Sequence, residues 1–156
     1  MKTLVVYYSR TGVTRKVAEA LAEALGADIE QLIDTKKRGG ALGFAVAVKD
    51  AAMKKLIPIA APQKDPADYE LVVVGTPVWA DTICSAVRMY LTDYGKEIKR
   101  GAFFCTTHTS GIEKTLAAMQ ELAGCETAAT ASFRQKHVKR DEHTADLDAF
   151  VNALPR

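Results

Sequence analysis

Apolar positions along the chain change their period repeatedly, and each change marks a new element. Thr3 to Tyr8 is a short apolar and β-branched run, the pattern of a strand. Val13, Val17, Leu21 and Leu25 then recur at helical spacing until Gly26 stops them. Asp28 to Ile33 predicts a second short strand. Gly39, Gly40 and Gly43 loosen the next stretch, after which Phe44, Val48, Ala52 and Leu56 predict the inner face of a second helix, broken by Pro58, Pro62 and Pro66. Glu70 to Gly75 predicts a third strand. Its centre, Leu71-Val72-Val73-Val74, is apolar on consecutive positions, as a strand covered on both faces requires. Ile83, Val87 and Leu91 predict the inner side of a third helix, Ala102 to Thr106 a fourth buried strand, and Ile112, Leu116, Met119 and Leu122 a fourth helix ended by Gly124. Thr127 to Phe133 alternates as an edge strand does, and Ala145 to Leu154 predicts a closing helix.

Strands alternating with helices predict an open α/β fold, a doubly wound five-stranded parallel sheet with helices on both faces. Parallel neighbours need crossover helices, and right-handed crossovers place those helices on either side. No repeat, linker or low-complexity tract divides the chain, so residues 1–156 are expected to form a single domain. Composition narrows the class further. With 156 residues, 48% apolar and 26% charged, the chain is no disordered tail, collagen-like fibre or disulfide-stapled mini-domain. No apolar run approaches the roughly 18 residues of a membrane span, and no charged leader precedes the first strand, so a cytoplasmic protein without a membrane span is expected.

Charge adds two expectations. A formal net charge of +2 argues against a nucleic-acid binder, which would carry a strongly basic face. The charges are nevertheless uneven, since Lys36, Lys37, Arg38, Lys49, Lys54, Lys55 and Lys64 stand against the lone acid Asp50 in that segment. This is either a solvated helix face or a docking patch for an acidic partner. Cys84, Cys105 and Cys125 form no CxxC pair and no zinc-type grouping, so no metal is expected and buried thiols are the default.

In doubly wound sheets ligands bind beyond the carboxyl ends of the strands, where strand order reverses, which directs attention to three loops. After the first strand, Ser9-Arg10-Thr11-Gly12-Val13-Thr14 gathers hydroxyls, a glycine and a helix N-terminus, a cradle for a phosphate. It lacks the lysine of a P-loop and the spacing of a dinucleotide turn, and Thr11 as a simple helix cap would also account for it. After the third strand, Thr76-Pro77-Val78-Trp79-Ala80-Asp81 sets the sole tryptophan in a loop, where its flat face either covers a ligand or folds back on the core, while Asp81 caps the third helix. After the fourth strand, Cys105 leads into Thr106-Thr107-His108-Thr109-Ser110-Gly111, in which Ser110 and Glu113 fit a capping box. The remaining hydroxyls suit the polar edge of a flat heterocycle.

These loops carry a resemblance over essentially the whole chain. The first resembles the (T/S)-x-T-G-x-T phosphate loop of flavodoxins, the second their aromatic-bearing loop, written G-T-P-V-W in many flavodoxin-like proteins, and the third their other flavin-flanking loop. The resemblance implies the flavodoxin-like strand order 2-1-3-4-5 and a flavin mononucleotide (FMN) cofactor. It implies that Ser9, Thr11, Gly12, Val13 and Thr14 hold the phosphate, with Arg10 adding charge or facing water. Thr76, Pro77, Val78, Trp79 and Ala80 would lie along the ring, and Thr106, Thr107, His108, Thr109, Ser110 and Gly111 at its pyrimidine edge. Ala80 replaces a glycine common in the family, and its Cβ makes a positive φ costlier by roughly 1 kcal/mol, which implies weaker stabilisation of the neutral semiquinone. His108, the candidate catalytic residue, stands where many flavodoxins carry a tyrosine; there it would stack on the flavin, bond it or donate a proton to a substrate, and a plain exposed loop histidine is the alternative.

Three functions follow from the resemblance. The first is an FMN-dependent oxidoreductase passing electrons to a quinone or similar small acceptor, with NAD(P)H as a transiently docked donor. The second is a one-electron carrier serving a redox partner protein, to which the charge of +2 is poorly suited because such carriers steer by acidic rims. The third is a non-redox interaction module of the same fold.

Overall fold

Apolar runs of consecutive residues build the frame, because each such strand must be covered on both sides. The computed structural model describes residues 1–36 and 39–156. Lys37 and Arg38 of the basic segment lie outside the described residues. In chain order the elements are β1 (Thr3–Tyr7), α1 (Val13–Leu25), β2 (Asp28–Gln31), α2 (Gly40–Ala52), β3 (Leu71–Trp79), β4 (Thr82–Ile83), α3 (Ser85–Tyr94), β5 (Arg100–Thr107), α4 (Ile112–Ala123), β6 (Glu126–Arg134), α5 (Gln135–Lys139) and α6 (Thr144–Ala153). The parallel strands lie in the order β2-β1-β3-β5-β6, and β4 pairs antiparallel with β3. The expected order 2-1-3-4-5 of the parallel strands is therefore present, with β4 added as the short arm of a hairpin. Among the described residues no helix is long and apolar enough to cross a membrane.

The pleat sends alternate residues to opposite faces. Leu4, Val6, Val72, Val74 and Phe103 pack with Val87 and Leu91 of α3 and Met119 of α4. Val5, Tyr7, Val73 and Phe104 pack with Val17 and Leu21 of α1 and Leu147 and Phe150 of α6. Register keeps these rows aligned, with Val5 beside Val73 and Val73 beside Ala102. At the end of α1, Gly26 adopts φ 57, and the next amide, of Ala27, donates to Ala22 O at 2.9 Å. That left-handed stop turns the chain directly into β2.

The second helix departs from its expected orientation. It buries Ala47, Asp50 and Ala51, not Phe44, Val48, Ala52 and Leu56, and it ends at Ala52, before Leu56 is reached. Small side chains let its backbone lie close to the sheet, whereas the bulky alternative would hold it away. Leu42 (80% exposed), Met53 (66%), Leu56 and Val46 consequently face outward. Two further differences lie at the carboxyl edge of the sheet. The third strand runs on to Trp79 instead of ending at Gly75, and α5 forms where no helical pattern was visible, being only one turn long.

Candidate functional site

The loop after β1 is shaped by its own polar groups. Gly12 takes φ 96 and caps α1 without any side-chain bond, while Ser9 Oγ accepts from the Gly12 amide at 3.1 Å. Thr11 is therefore not the cap. No acidic residue occupies the first turn of α1, so its opening amides and the positive end of its dipole face the loop uncompensated. Thr14 Oγ1 shares a buried 2.8 Å hydrogen bond with Thr106 Oγ1, tying this loop to the end of β5. Arg10 is exposed but engaged. It donates from Nη2 to the Gly40 carbonyl at 2.8 Å and lies over the Phe44 ring at 4.7 Å, fastening the loop to α2.

The second loop is a hairpin, not an open loop. Val78 pairs with Ile83 and Trp79 with Thr82, leaving Ala80 and Asp81 as a two-residue turn with φ 51 and 54. Two left-handed residues match the twist of a tight hairpin. The cost of Ala80 at positive φ is thus carried by the hairpin as it stands and does not arise only on a later peptide flip. Asp81 does not cap α3. The cap is Cys84, without a side-chain bond, and Asp81 Oδ1 instead accepts from Ser110 Oγ at 2.8 Å. Thr76 is fully buried, its Oγ1 donating to the Pro77 carbonyl (2.9 Å) and accepting from the Cys84 amide (3.2 Å), so it secures the base of the hairpin. Trp79 meets Tyr8 and Phe44 edge-on, with centroids 5.6 and 5.7 Å apart. It both leans on the core and borders the cavity described next.

In the third loop, Thr107 is buried and its hydroxyl donates to Ser110 O at 2.7 Å. The capping box does not form. Gly111 caps α4 at φ 80, and Ser110 has been drawn across to Asp81. Gly111 also permits close approach of the hairpin, since a Cβ there would lie 2.7 Å from both Asp81 Cα and Val78 Cγ1.

These loops enclose a cavity of about 420 Å³, within the range of small-molecule sites. Of the residues singled out from the sequence, Ser9, Arg10, Thr11, Val13, Thr14, Pro77, Val78, Trp79, Ala80, Thr106 and His108 border it. Gly12 does not border it and stands at the start of α1 with φ 96. Thr76 and Thr107 are buried and do not border it, and Thr109, Ser110 and Gly111 border a neighbouring hollow of about 350 Å³ beside Asp81. Four bordering residues escaped the sequence reading: Phe44 and Val48 of α2, and Gln135 and Lys139 of α5. Phe44 and Val48 carried a signal, their helical spacing, that pointed to the core instead. Lys139 brings to the cavity the lysine that the first loop lacks.

Cys84 and Cys105 are not nucleophiles. Burial pushes Cys105 up to about 12 and Cys84 up to about 11 from the usual 9.0, so both stay protonated. Among the described residues no cluster of three His, Cys, Asp or Glu side chains could hold a metal. What remains is a set of hydroxyls, amides and cations facing one end of a cavity whose wall is flat and aromatic, suited to a phosphate-bearing heterocycle.

Comparison with known proteins agrees in kind. The family profile described as Flavodoxin matches residues 2–144. A Lactobacillus acidophilus NCFM flavoprotein, solved in complex with FMN, superposes with a TM-score of 0.73 at 21% identity, covering 89% of this chain and 97% of that one. A Bacteroides eggerthii DSM 20697 protein assigned as a flavoprotein gives 0.71 at 20% identity over 96% and 97%. The two-electron reduced flavodoxin of Megasphaera elsdenii gives 0.60 at 19% identity over 97% and 96%.

Proposed function

Because the chain belongs to the flavodoxin family, we propose that its 420 Å³ cavity holds FMN and that the protein is an FMN-dependent oxidoreductase reducing a quinone or similar small acceptor. The observation that carries this reading is the joining, in one cavity, of a helix N-terminus without a side-chain cap, ringed by hydroxyls, with the aromatic wall at Trp79. The residues fit the group. Amides of the first turn of α1 and the hydroxyls of Ser9, Thr11 and Thr14 would take the phosphate oxygens, and Lys139 would balance their charge. Pro77, Val78 and Trp79 would flank the ring, and Thr106 and His108 would meet its polar edge.

When bound, the flavin supplies the electron and hydride transfer, and the protein supplies position and electrostatics. Trp79 is held edge-on by Tyr8 and Phe44, so the ring would find a preformed wall. His108 is exposed at the mouth of the cavity, where it would hold or deliver a proton next to an acceptor. The sequence carries no dinucleotide fingerprint, so NADH or NADPH would dock only transiently as donor. The net charge of +2 favours an enzyme over an acidic electron shuttle. We place the protein in the cytoplasm, since its cysteines are free thiols, the state a reducing compartment maintains.

A specific observation favours a second reading, a carrier serving a protein partner. The outward apolar residues Leu42, Val46, Met53 and Leu56 lie among Lys49, Lys54 and Lys55, beside the cavity that Phe44 borders. An acidic partner with an apolar centre would fit that surface. One experiment separates the readings. The purified protein should absorb as a flavoprotein, or take up added FMN. Anaerobic bleaching by NADH or NADPH, followed by recovery on adding benzoquinone, supports the enzyme. Reduction by dithionite alone supports the carrier, and a protein that stays colourless with added FMN refutes both.

A further inference from the structure

A buried guanidinium normally faces a carboxylate, because an unpaired charge away from water is costly. Arg88 of α3 does not. Its side chain is only 8% exposed, Nη2 donates to the neutral Thr82 Oγ1 at 2.9 Å, and Nε is buried without an acceptor. Burial lowers its pKa from the usual 12.5, and no carboxylate works against that shift.

Arg88 borders a second cavity, about 350 Å³, that shares only Ala80 with the cavity assigned to FMN. Lys54 and Lys114 also border it, as do Asp81 and Glu121. Asp81 is already engaged by Ser110. Among the described residues no ion pair links either acid to any of the three cations. The arrangement is a walled recess with a buried planar donor, a hydroxyl whose own proton is free to be donated, and two exposed ammonium groups at the rim.

We propose that this cavity binds a small molecule bearing an oxyanion, a carboxylate or a phosphate. Its oxygens take free N–H groups of Arg88 and the Thr82 hydroxyl, and Lys54 and Lys114 complete the neutralisation. Thr82 pairs with Trp79, and Ala80 belongs to both cavities, so an anion held here braces the arm of the hairpin that borders the first cavity. The binding itself does not depend on the FMN reading. Only its effect on a flavin does.

The test is an amide-resolved NMR titration of the full chain, saturated with FMN so that phosphate cannot enter the first loop, against sodium succinate and inorganic phosphate separately at constant ionic strength. Saturable shifts centred on Thr82, Arg88 and Lys114 are expected for at least one anion, and which one responds identifies the group recognised. Arg88→Gln should abolish the binding. Lys114→Glu, a rim substitution that leaves the core untouched, should weaken it at least tenfold. Shifts matched by sodium chloride alone, or affinity unchanged in Lys114→Glu, would overturn the proposal. Should the chain take up no FMN, the titration with succinate proceeds on the protein as purified, so failure of the cofactor reading is seen separately.

Discussion

Two glycines bracket α4, and replacing each by alanine isolates the contact that positions the hairpin. Gly111 (φ +80) opens the helix and Gly124 (φ +61) closes it, so either alanine is forced into the left-handed region at about 1–2 kcal/mol. Alanine also restricts the unfolded chain, returning about 0.4–1 kcal/mol. At Gly124 nothing lies within 4 Å of the new Cβ, and the expected loss is therefore about 1 kcal/mol. At Gly111 the Cβ would meet Asp81 Cα and Val78 Cγ1 at 2.7 Å and Asp81 Oδ1 at 2.9 Å. Two of these atoms are backbone or a β-branched side chain and cannot swing aside, so overpacking adds about 1–3 kcal/mol. Gly111→Ala should lose about 2–4 kcal/mol in urea unfolding, with an unchanged denaturant slope. Since the displaced segment includes Val78, which borders the cavity, its FMN affinity should fall about tenfold, equal to about 1.4 kcal/mol. Gly124→Ala should bind FMN as the parent does. Equal losses of stability in the two variants, or parental FMN affinity in Gly111→Ala, would refute the reasoning that this contact sets the hairpin.

Other outcomes follow from the same geometry. Ala80→Gly relieves a left-handed alanine and should stabilise the protein by about 0.5–1 kcal/mol, a rise of about 2–3 °C in Tm by calorimetry; a fall would contradict it. Lys139→Ala should weaken FMN about threefold to fivefold and flatten its salt dependence while leaving riboflavin, which has no phosphate, unaffected; equal losses for both ligands in a fluorescence titration would count against a phosphate role. The buried thiols set an alkaline limit. Cys84 is raised to about 11 and Cys105 to about 12, so the unfolded chain ionises first, near 9.0. Their stabilisation is complete below pH 9 and is lost as pH climbs towards those folded values, by about 1.4 kcal/mol per pH unit for each thiol within its window. Urea midpoints measured from pH 7 to 10.5 should hold and then fall, less steeply in Cys84→Ala; midpoints that rise above pH 9 would show the sign to be wrong.

Local chemistry made much of this protein legible in its sequence. Leu71 to Val74 read as a strand covered on both faces, Gly26 and Gly124 as the ends of their helices, and the polar loop from Ser9 to Thr14 stood at the sheet edge where such loops meet ligands. Element order, strand type and the place of the site depend on periodicity and on residues adjacent in the chain, and those are written linearly. Tertiary structure decided what depends on competition between partners. Ser110 could cap its own helix or reach Asp81, and the hairpin brings Asp81, 29 positions earlier, within 2.8 Å. The second helix could bury its large side chains or its small ones, and only the distance to the sheet chooses Ala47 and Ala51 over Phe44. Phe44 was thereby released to the cavity beside Trp79, and Lys139 arrived from a one-turn helix too short to leave a period. Arg88, of which the sequence pattern says nothing, is a buried cation bonded to the hydroxyl of Thr82 in β4 in place of a carboxylate. A side chain's partner is set by the lowest free energy among all groups the fold brings within reach, and that set exists only once the strands have paired.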